Sequence, residues 1–538
     1  MGEAKEHGVR ESAPQYVADD NTEVGEVLNA SGHKQELNRN YSLLSICAIG
    51  ITTGNVWAAL GGSIVIALYN GGPPGVIYEF IAVSICYWMI AACIAELASA
   101  IPSSAGVYHW ASITAGRYGK VIGYFAGWWN ALGWVFATGS IASILATNVV
   151  SMYGIFHPGY EWQRWHVFIA YLLINWVACA IVMFANRALP MLTNLGLFLI
   201  LAGVFITILV CAIMPSQTGM GHATSDFVWT EWQNQTGWTS NGFVFCAGML
   251  NGAYAVGTPD CVSHLAEELP RPRINIPKAI LAQYVVGCLT AFLYVIAIFY
   301  SVNDLDSLFD NPWPFPLAEL YRQATNSRGG SLGLLIVIFL PTFSTCIGCY
   351  ITSGRMFWTL GRDKALPFSG WIGHISPKYE NPWNATLMCG VVNTILGCIY
   401  VGSTTAFSAF VGSFIVLTSA SYLAFILPNL FSRRRHVIPG PFSMPDPVFY
   451  VVAGLASAYM CAFIVVFCFP YAVPFDAQSM NYSSLITGGL SVFVGCWWFW
   501  IKDRGYVGPR AGIEAVERRL SVEDSIAGAG GKISAEKD

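Results

Sequence analysis

The chain has 538 residues, of which 55% are hydrophobic and 11% charged, against about 25% charged in a typical soluble domain. A soluble protein of this length would divide into domains with polar surfaces, whereas apolar runs recur here from Tyr41 to Trp500 without a long hydrophilic interval. The net charge of −4, with no basic face, excludes a nucleic-acid partner. The fifteen cysteines are scattered, and Cys346 and Cys349 have no downstream His or Cys cluster, so no metal site or cofactor is expected.

Residues 1–38 are polar, without the basic and apolar regions of a signal peptide, so the first apolar run is expected to act as the insertion signal. Runs of about 20 apolar residues then place spans near 42–68, 75–101, 121–152, 165–186, 191–214, 241–265, 278–301, 331–358, 384–402, 405–430, 448–470 and 483–502. Each must be a helix, because lipid cannot solvate free backbone groups. The expectation is an all-α membrane protein of about twelve spans: a transporter domain over 39–503 between cytoplasmic tails, 1–38 and 504–538. The second tail is rich in Gly, Ala and charge and ends its Arg-Arg-Leu-Ser run at Ser521.

Basic residues set the orientation. With both tails inside, the inner loops hold Arg117, Lys120, Arg187, Arg271, Arg273, Lys278, Arg362, Lys364, Lys378 and Arg433 to Arg435. The outer loops hold Arg164, Arg322 and Arg328 beside six acids, which fits the positive-inside rule. The glycosylation triplets at Asn234 and Asn481 fall in or beside outer loops, although a third, at Asn384, falls inside.

Two spans carry breakers. The first contains Gly50-Ile-Thr-Thr-Gly54-Asn55, which reads either as an unwound stretch exposing backbone to a substrate or as a small-residue packing face. The sixth reads Asn251-Gly-Ala-Tyr254-Ala-Val-Gly257-Thr258-Pro259-Asp260. There Thr258 suits an N-cap, Pro259 the first helical position and Asp260 the first turn of a new half-helix. Asp260 is either a local carboxylate at that helix end or a protonatable, cation-attracting group. Five spans separate the breaks, the spacing of an inverted repeat of five plus five helices followed by two more.

Asn130, Trp134 and Thr138 share one face of the third span at i, i+4 and i+8. Ser344 and Thr345 in the eighth span and Phe407, Phe410 and Phe414 in the tenth either line a site or pack the bundle. A quaternary ammonium donates no hydrogen bond and is held by aromatic faces; Trp57, Trp134 and Tyr254 are the candidates.

Glu96-Leu-Ala-Ser-Ala-Ile-Pro102-Ser-Ser-Ala-Gly106-Val-Tyr-His-Trp110, Ala266-Glu-Glu-Leu-Pro-Arg-Pro-Arg-Ile-Asn-Ile-Pro277 and Ser353-Gly-Arg355…Gly361-Arg-Asp363-Lys-Ala-Leu-Pro367 resemble signatures of the amino acid–polyamine–organocation permeases. Val150-Ser-Met-Tyr-Gly…Arg164-Trp-His166, Trp232-Gln-Asn-Gln-Thr-Gly-Trp238, Asp260-Cys-Val-Ser-His264 and Gly402-Ser-Thr-Thr-Ala-Phe407 resemble the fungal amino acid/choline transporters, the group of choline and γ-aminobutyrate permeases. The resemblance covers roughly residues 40–503 and implies the LeuT-type fold and proton symport across a plasma membrane. It puts substrate contacts on Thr52, Thr53, Gly54 and Asn55 and on Tyr254, Ala255, Val256, Gly257 and Thr258, and makes Asp260 and Glu96 candidates for proton coupling. Two positions bear on the details: Tyr254 stands where the choline permeases carry Trp, and residues 191–214 lack the lysine that some relatives use in place of sodium.

The expected activity is therefore secondary transport of a choline-like amine or an amino acid such as γ-aminobutyrate, together with a proton. The alternatives are transport of a secondary metabolite in either direction and a nutrient sensor on a permease scaffold. An intramembrane enzyme would need a catalytic set, and the nearest approach is His264 four residues from Asp260.

Overall fold

The computed structural model describes residues 41–157, 159–309, 313–402, 405–477, 479–506 and 508–509. The expected N-terminal tail and the run ending at Ser521 lie outside the described residues. Among the described residues, ten helical stretches are long and apolar enough to cross a bilayer. The broken sixth span and the ninth, Trp383–Gly402, complete twelve.

Span 1 is built from Leu43–Thr53, Val56–Gly62 and Ile64–Leu68. Span 2 is Gly72–Ala100, span 3 Gly119–Phe156, span 4 Arg164–Phe184 and span 5 Leu189–Gln217. Span 6 begins as Asn241–Val256, and spans 7 and 8 are Pro272–Tyr300 and Arg328–Arg362. Spans 10, 11 and 12 are Ala406–Phe431, Asp446–Val466 and Ser483–Ile501.

The inverted repeat is visible in which helices touch. Span 1 packs on span 7 and span 6 on span 2; span 3 packs on span 10 and span 8 on span 5. Each pair becomes the other when span numbers shift by five. The connectors obey the same exchange: helix Val107–Thr114 follows span 2 and packs on spans 3 and 10, while helix Leu317–Thr325 follows span 7 and packs on spans 8 and 5. An antiparallel pairing of Asn70–Gly71 with Gln233–Asn234 ties the loop after span 1 to the loop before span 6.

The ends of the spans are fixed chemically. On the face where the described chain begins and ends, buried Glu268 receives two hydrogen bonds from the fully buried guanidinium of Arg355, at 2.8 and 3.1 Å. Arg362 faces Glu267 at 3.4 Å, and Arg434 bridges Glu96 and Asp446. Ser104 Oγ accepts from Glu267 N at 3.0 Å. The three permease-like stretches named above thus converge on one face and are bonded to each other or to the neighbouring loop.

Two expectations need correction, and a third gains a structural role. The C-terminal tail does not begin at residue 504, since Tyr506 is buried with its hydroxyl 3.0 Å from that of Tyr108. Asn481 is not an exposed glycan acceptor: it is 1% exposed and its amide donates to Phe467 O and Phe469 O at 2.6 and 3.1 Å. Asn234 is half-buried in the short sheet, its amide donating to Trp238 O at 2.7 Å. Both side chains tie loops together through these bonds.

Removing one partner of a buried ion pair leaves an uncompensated charge, at a cost of roughly 3–5 kcal/mol. Glu268→Ala is therefore expected to lower the thermal unfolding midpoint of the purified protein well below that of a control Arg187→Ala, whose guanidinium is mostly exposed. Equal midpoints would show that the Arg355 pair contributes nothing.

Candidate functional site

Span 1 stops because Gly54 leaves helical geometry (φ −94, ψ 47), its N–H still bonded to Gly50 O at 2.9 Å, and the chain re-enters a helix at Val56. Span 6 stops at Val256, and its continuation differs from the expected half-helix. Residues 259–262 form turns and residues Ser263–Glu268 a 3-10 helix preceded by Val262, with no side-chain cap. Thr258 is not an N-cap; its hydroxyl and carbonyl both accept from Gln283 Nε2, at 3.1 and 3.0 Å. Span 7 draws Thr258 sideways, so the continuation starts later and winds tighter.

The freed carbonyls find partners on neighbouring spans. Val256 O accepts from Tyr284 OH at 2.7 Å, and Gly257 O lies 3.4 Å from Tyr422 OH. In the first break Thr52 O accepts from Thr345 Oγ1 at 2.9 Å, which gives the eighth-span candidate a definite role. Such side-chain partners are what permit a helix to be interrupted at membrane depth.

The breaks touch. A Cβ added at Gly54 would lie 2.2 Å from Gln283 Nε2 and 2.8 Å from Thr258 Oγ1, so glycine is what lets the first break sit against the sixth. Every residue from Gly50 to Leu60 and from Gly248 to Leu269 is buried.

Asp260 lies at the centre of a cross-span knot. Its Oδ2 accepts from Asn130 Nδ2 at 2.8 Å and Trp134 Nε1 at 3.2 Å and lies 3.1 Å from His264 Nε2. Its Oδ1 accepts from Tyr422 OH at 2.7 Å. Of the two roles read from the sequence, the carboxylate at a helix end is not what is seen, since the partners come from spans 3 and 10 and from His264. The other nitrogen of His264, Nδ1, faces Ser104 O at 3.3 Å. A carbonyl accepts only, so this contact is a hydrogen bond in the tautomer that carries hydrogen on Nδ1, and Nε2 then bonds the carboxyl through one further proton.

The aromatic candidates divide. Phe414 packs on both Trp134 and Tyr254, each with ring centroids 6.1 Å apart, and Tyr254 OH lies 2.8 Å from Ser140 Oγ. Trp57 does not join them; it packs edge-on against Tyr294 at 5.1 Å. Phe410 packs on Phe136, and Thr138 donates to Trp134 O at 2.8 Å within its own helix. Glu96, bound to Arg434, belongs to the terminal face and not to the breaks.

Polar atoms at the first break remain without partners: Thr53 Oγ1, both amide atoms of Asn55 and Trp57 Nε1 are buried and make no hydrogen bond. Together they offer donors and acceptors in one short stretch. Ala255 and Val256 contribute buried backbone and apolar surface.

Sequence reasoning missed Tyr422, Gln283 and Tyr284. The available signal was a hydrogen-bonding side chain inside an apolar span, the same signal that drew attention to Asn130.

Ten spans in two inverted repeats of five, interrupted where the repeats meet and followed by two more, define a polytopic membrane carrier. The chain belongs to the amino acid permease family, whose family model matches residues 41–491. It is 30% identical over 473 residues to a choline transporter of Saccharomyces cerevisiae, covering 87% of this chain and 82% of that one. A 7-keto 8-aminopelargonic acid transporter of the same yeast is 25% identical, covering 86% and 92%, and amino-acid permease BAT1 of Arabidopsis thaliana 26%, covering 90% and 96%. Among solved structures, a manganese transporter of Eremococcus coleocola superposes with a TM-score of 0.48 at 12% identity, over 93% of this chain and 99% of that one.

Tyr422→Phe removes the hydroxyl that reaches Asp260 Oδ1. A buried acceptor left unsatisfied costs about 1–3 kcal/mol, so the variant is expected to unfold at a lower temperature than wild type. An unchanged midpoint would mean that the knot is not held by this bond.

Proposed function

We propose that the protein is a proton-coupled symporter of a small nitrogenous solute, a choline-like amine or an amino acid such as γ-aminobutyrate, working by alternating access in the plasma membrane with both termini cytoplasmic. The observation that carries this reading is the unpartnered polar set of Thr53, Asn55 and Trp57 beside the meeting point of the two breaks. Buried polar groups are expensive unless satisfied, and a solute carrying both donors and acceptors would satisfy these. Thr52, Gly54 and residues 254–258 complete the substrate surface in this reading, with Trp134 and Tyr254 supplying aromatic faces around Phe414.

Asp260 is the coupling candidate, acting with His264. With the proton present the pair is neutral overall; without it the knot holds a net negative charge among buried side chains, which a cationic group or a returning proton would neutralise. Glu96, expected as a second coupling acid, serves in this reading as half of the Arg434 latch. The likeness to a choline transporter supports an amine substrate, and that to an amino-acid permease supports a zwitterion. The concentration of basic residues in the loops of the terminal face supports a cytoplasmic placement of that face.

In a permease-deficient cell, uptake of radiolabelled choline and γ-aminobutyrate, measured with and without a protonophore, is expected to show accumulation of at least one that collapses when the proton gradient is removed. Accumulation insensitive to the protonophore would overturn symport, and none of any amine or amino acid would overturn the substrate class. Asp260→Asn, which leaves His264 without its carboxylate, is expected to abolish uphill uptake.

Tyr254→Trp enlarges the aromatic face and removes the hydroxyl bonded to Ser140. The ratio of choline to γ-aminobutyrate uptake is expected to rise several-fold, since cation–π contacts contribute about 0.5–2 kcal/mol. An unchanged ratio would remove residue 254 from the selectivity argument.

A further inference from the structure

Away from the Asp260 knot, span 2 carries a second acid inside the membrane region. Glu79 is the eighth residue of span 2, about 10 Å along the helix from its first residue at 1.5 Å per residue. It is 1% exposed, and neither carboxyl oxygen has a hydrogen-bond partner.

Its surroundings are unusually bare. A Cβ added at Gly248 of span 6 would lie 2.2 Å from Glu79 Oε1 and 2.3 Å from Oε2, so the carboxyl lies flat against the span 6 backbone six residues before Tyr254. On its other side, a Cβ at Gly75 would lie 3.5 Å from Oε1 and 2.9 Å from Asn70 O, which belongs to the short sheet joining the two loops above. The titratable group that faces it from span 6 is the thiol of Cys246. Spans 7 and 11, which also pack on span 2, present it no ion pair among the described residues.

An ionised carboxylate without a single donor is costly in such a place, and an acid buried in this way neutralises by binding a proton instead. We propose that Glu79 is a proton-carrying group of the transport cycle, protonated while span 6 is closed on span 2 and ionised when that seam opens to water. In the open seam the O–H bond breaks, its electron pair stays on the carboxylate and the proton passes to water; on closure a proton from that water restores the acid. Gly248 makes this state depend on where the first half of span 6 stands. The inference rests on the symport reading, to which it adds a second proton site.

The test uses the full-length protein in lipid vesicles with two readouts. Infrared difference spectra between acidic and alkaline buffer report protonated carboxyl groups and need no substrate. A carboxylic C=O band present in wild type, lost in Glu79→Gln and restored at a shifted frequency in Glu79→Asp, is expected; an identical band in wild type and Glu79→Gln overturns the proposal. Uptake of radiolabelled choline and γ-aminobutyrate is then compared under an imposed pH gradient. Losing one coupled proton lowers the limiting accumulation about tenfold per pH unit of gradient, so Glu79→Gln is expected to accumulate less than wild type by about that factor, keeping only the share coupled through Asp260, while Glu79→Asp retains accumulation. Wild-type accumulation in Glu79→Gln overturns the role. If wild type itself ignores the gradient, the symport reading fails and with it Glu79 as a coupling group; the infrared band then decides separately whether the residue exchanges a proton.

Discussion

Interrupting a helix inside a bilayer releases backbone groups that lipid cannot solvate, and each one left unpaired costs several kcal/mol. Much of the architecture around span 6 is a response to that constraint. Gln283 and Tyr284 on span 7 and Tyr422 on span 10 reach the carbonyls of residues 256–258, and the turn they support places Asp260 where spans 3 and 10 can bind it. The dependence runs both ways. With an unbroken span 6 these carbonyls would be taken by intrahelical bonds, and Tyr284 and Gln283 would lose the backbone acceptors they reach here. The break and its supporting residues therefore stand or fall together.

Side-chain bonds to a freed carbonyl differ from a helical ladder in one respect that matters for a carrier. Ladder bonds are broken as a set, whereas single bonds from Gln283, Tyr284 or Tyr422 can be exchanged one at a time at a net cost of about 1 kcal/mol each. The segment after Val256 is thus a hinge with several separate fastenings. Its far end is held more firmly, by the ion pairs of Glu267 and Glu268 with Arg362 and Arg355. A rigid latch at the terminal face and exchangeable bonds at mid-membrane concentrate any bending at residues 257–262.

The spans could be read from the sequence because the bilayer imposes one length and one composition on all of them, and both breaks because glycine and proline are conspicuous in such runs. His264 and Asp260 were legible as an i, i+4 pair. The winding after Asp260 was not, because it depends on Gln283, 25 residues away, pulling on Thr258. The expected grouping of Trp57 with Trp134 and Tyr254 failed for a related reason: periodicity places a ring on a face of its own helix and says nothing of which neighbour that face meets. Asn481 shows the same limit, a glycosylation triplet whose asparagine is consumed in tying a loop.

Glu79 passed unnoticed in sequence because an acid beside glycines near the start of a span looks like an interfacial residue; its depth is apparent only once Gly248 is seen to cover it. With it in view, two buried acids fall on the two sides of the sixth-span interruption: Glu79 against the helix before Tyr254, Asp260 after Gly257. Their partners differ as sharply as their positions. Asp260 accepts from donors on spans 3 and 10 and faces His264, so a proton there is exchanged within a hydrogen-bonded knot, whereas Glu79 has no donor and is suited to remaining neutral until spans 2 and 6 part. Because the two acids contact opposite segments of one interrupted helix, a tilt of the first segment changes the surroundings of Glu79 without breaking the Asp260 knot. Span 6 can in this way carry a protonation change at one end while keeping its anchor at the other.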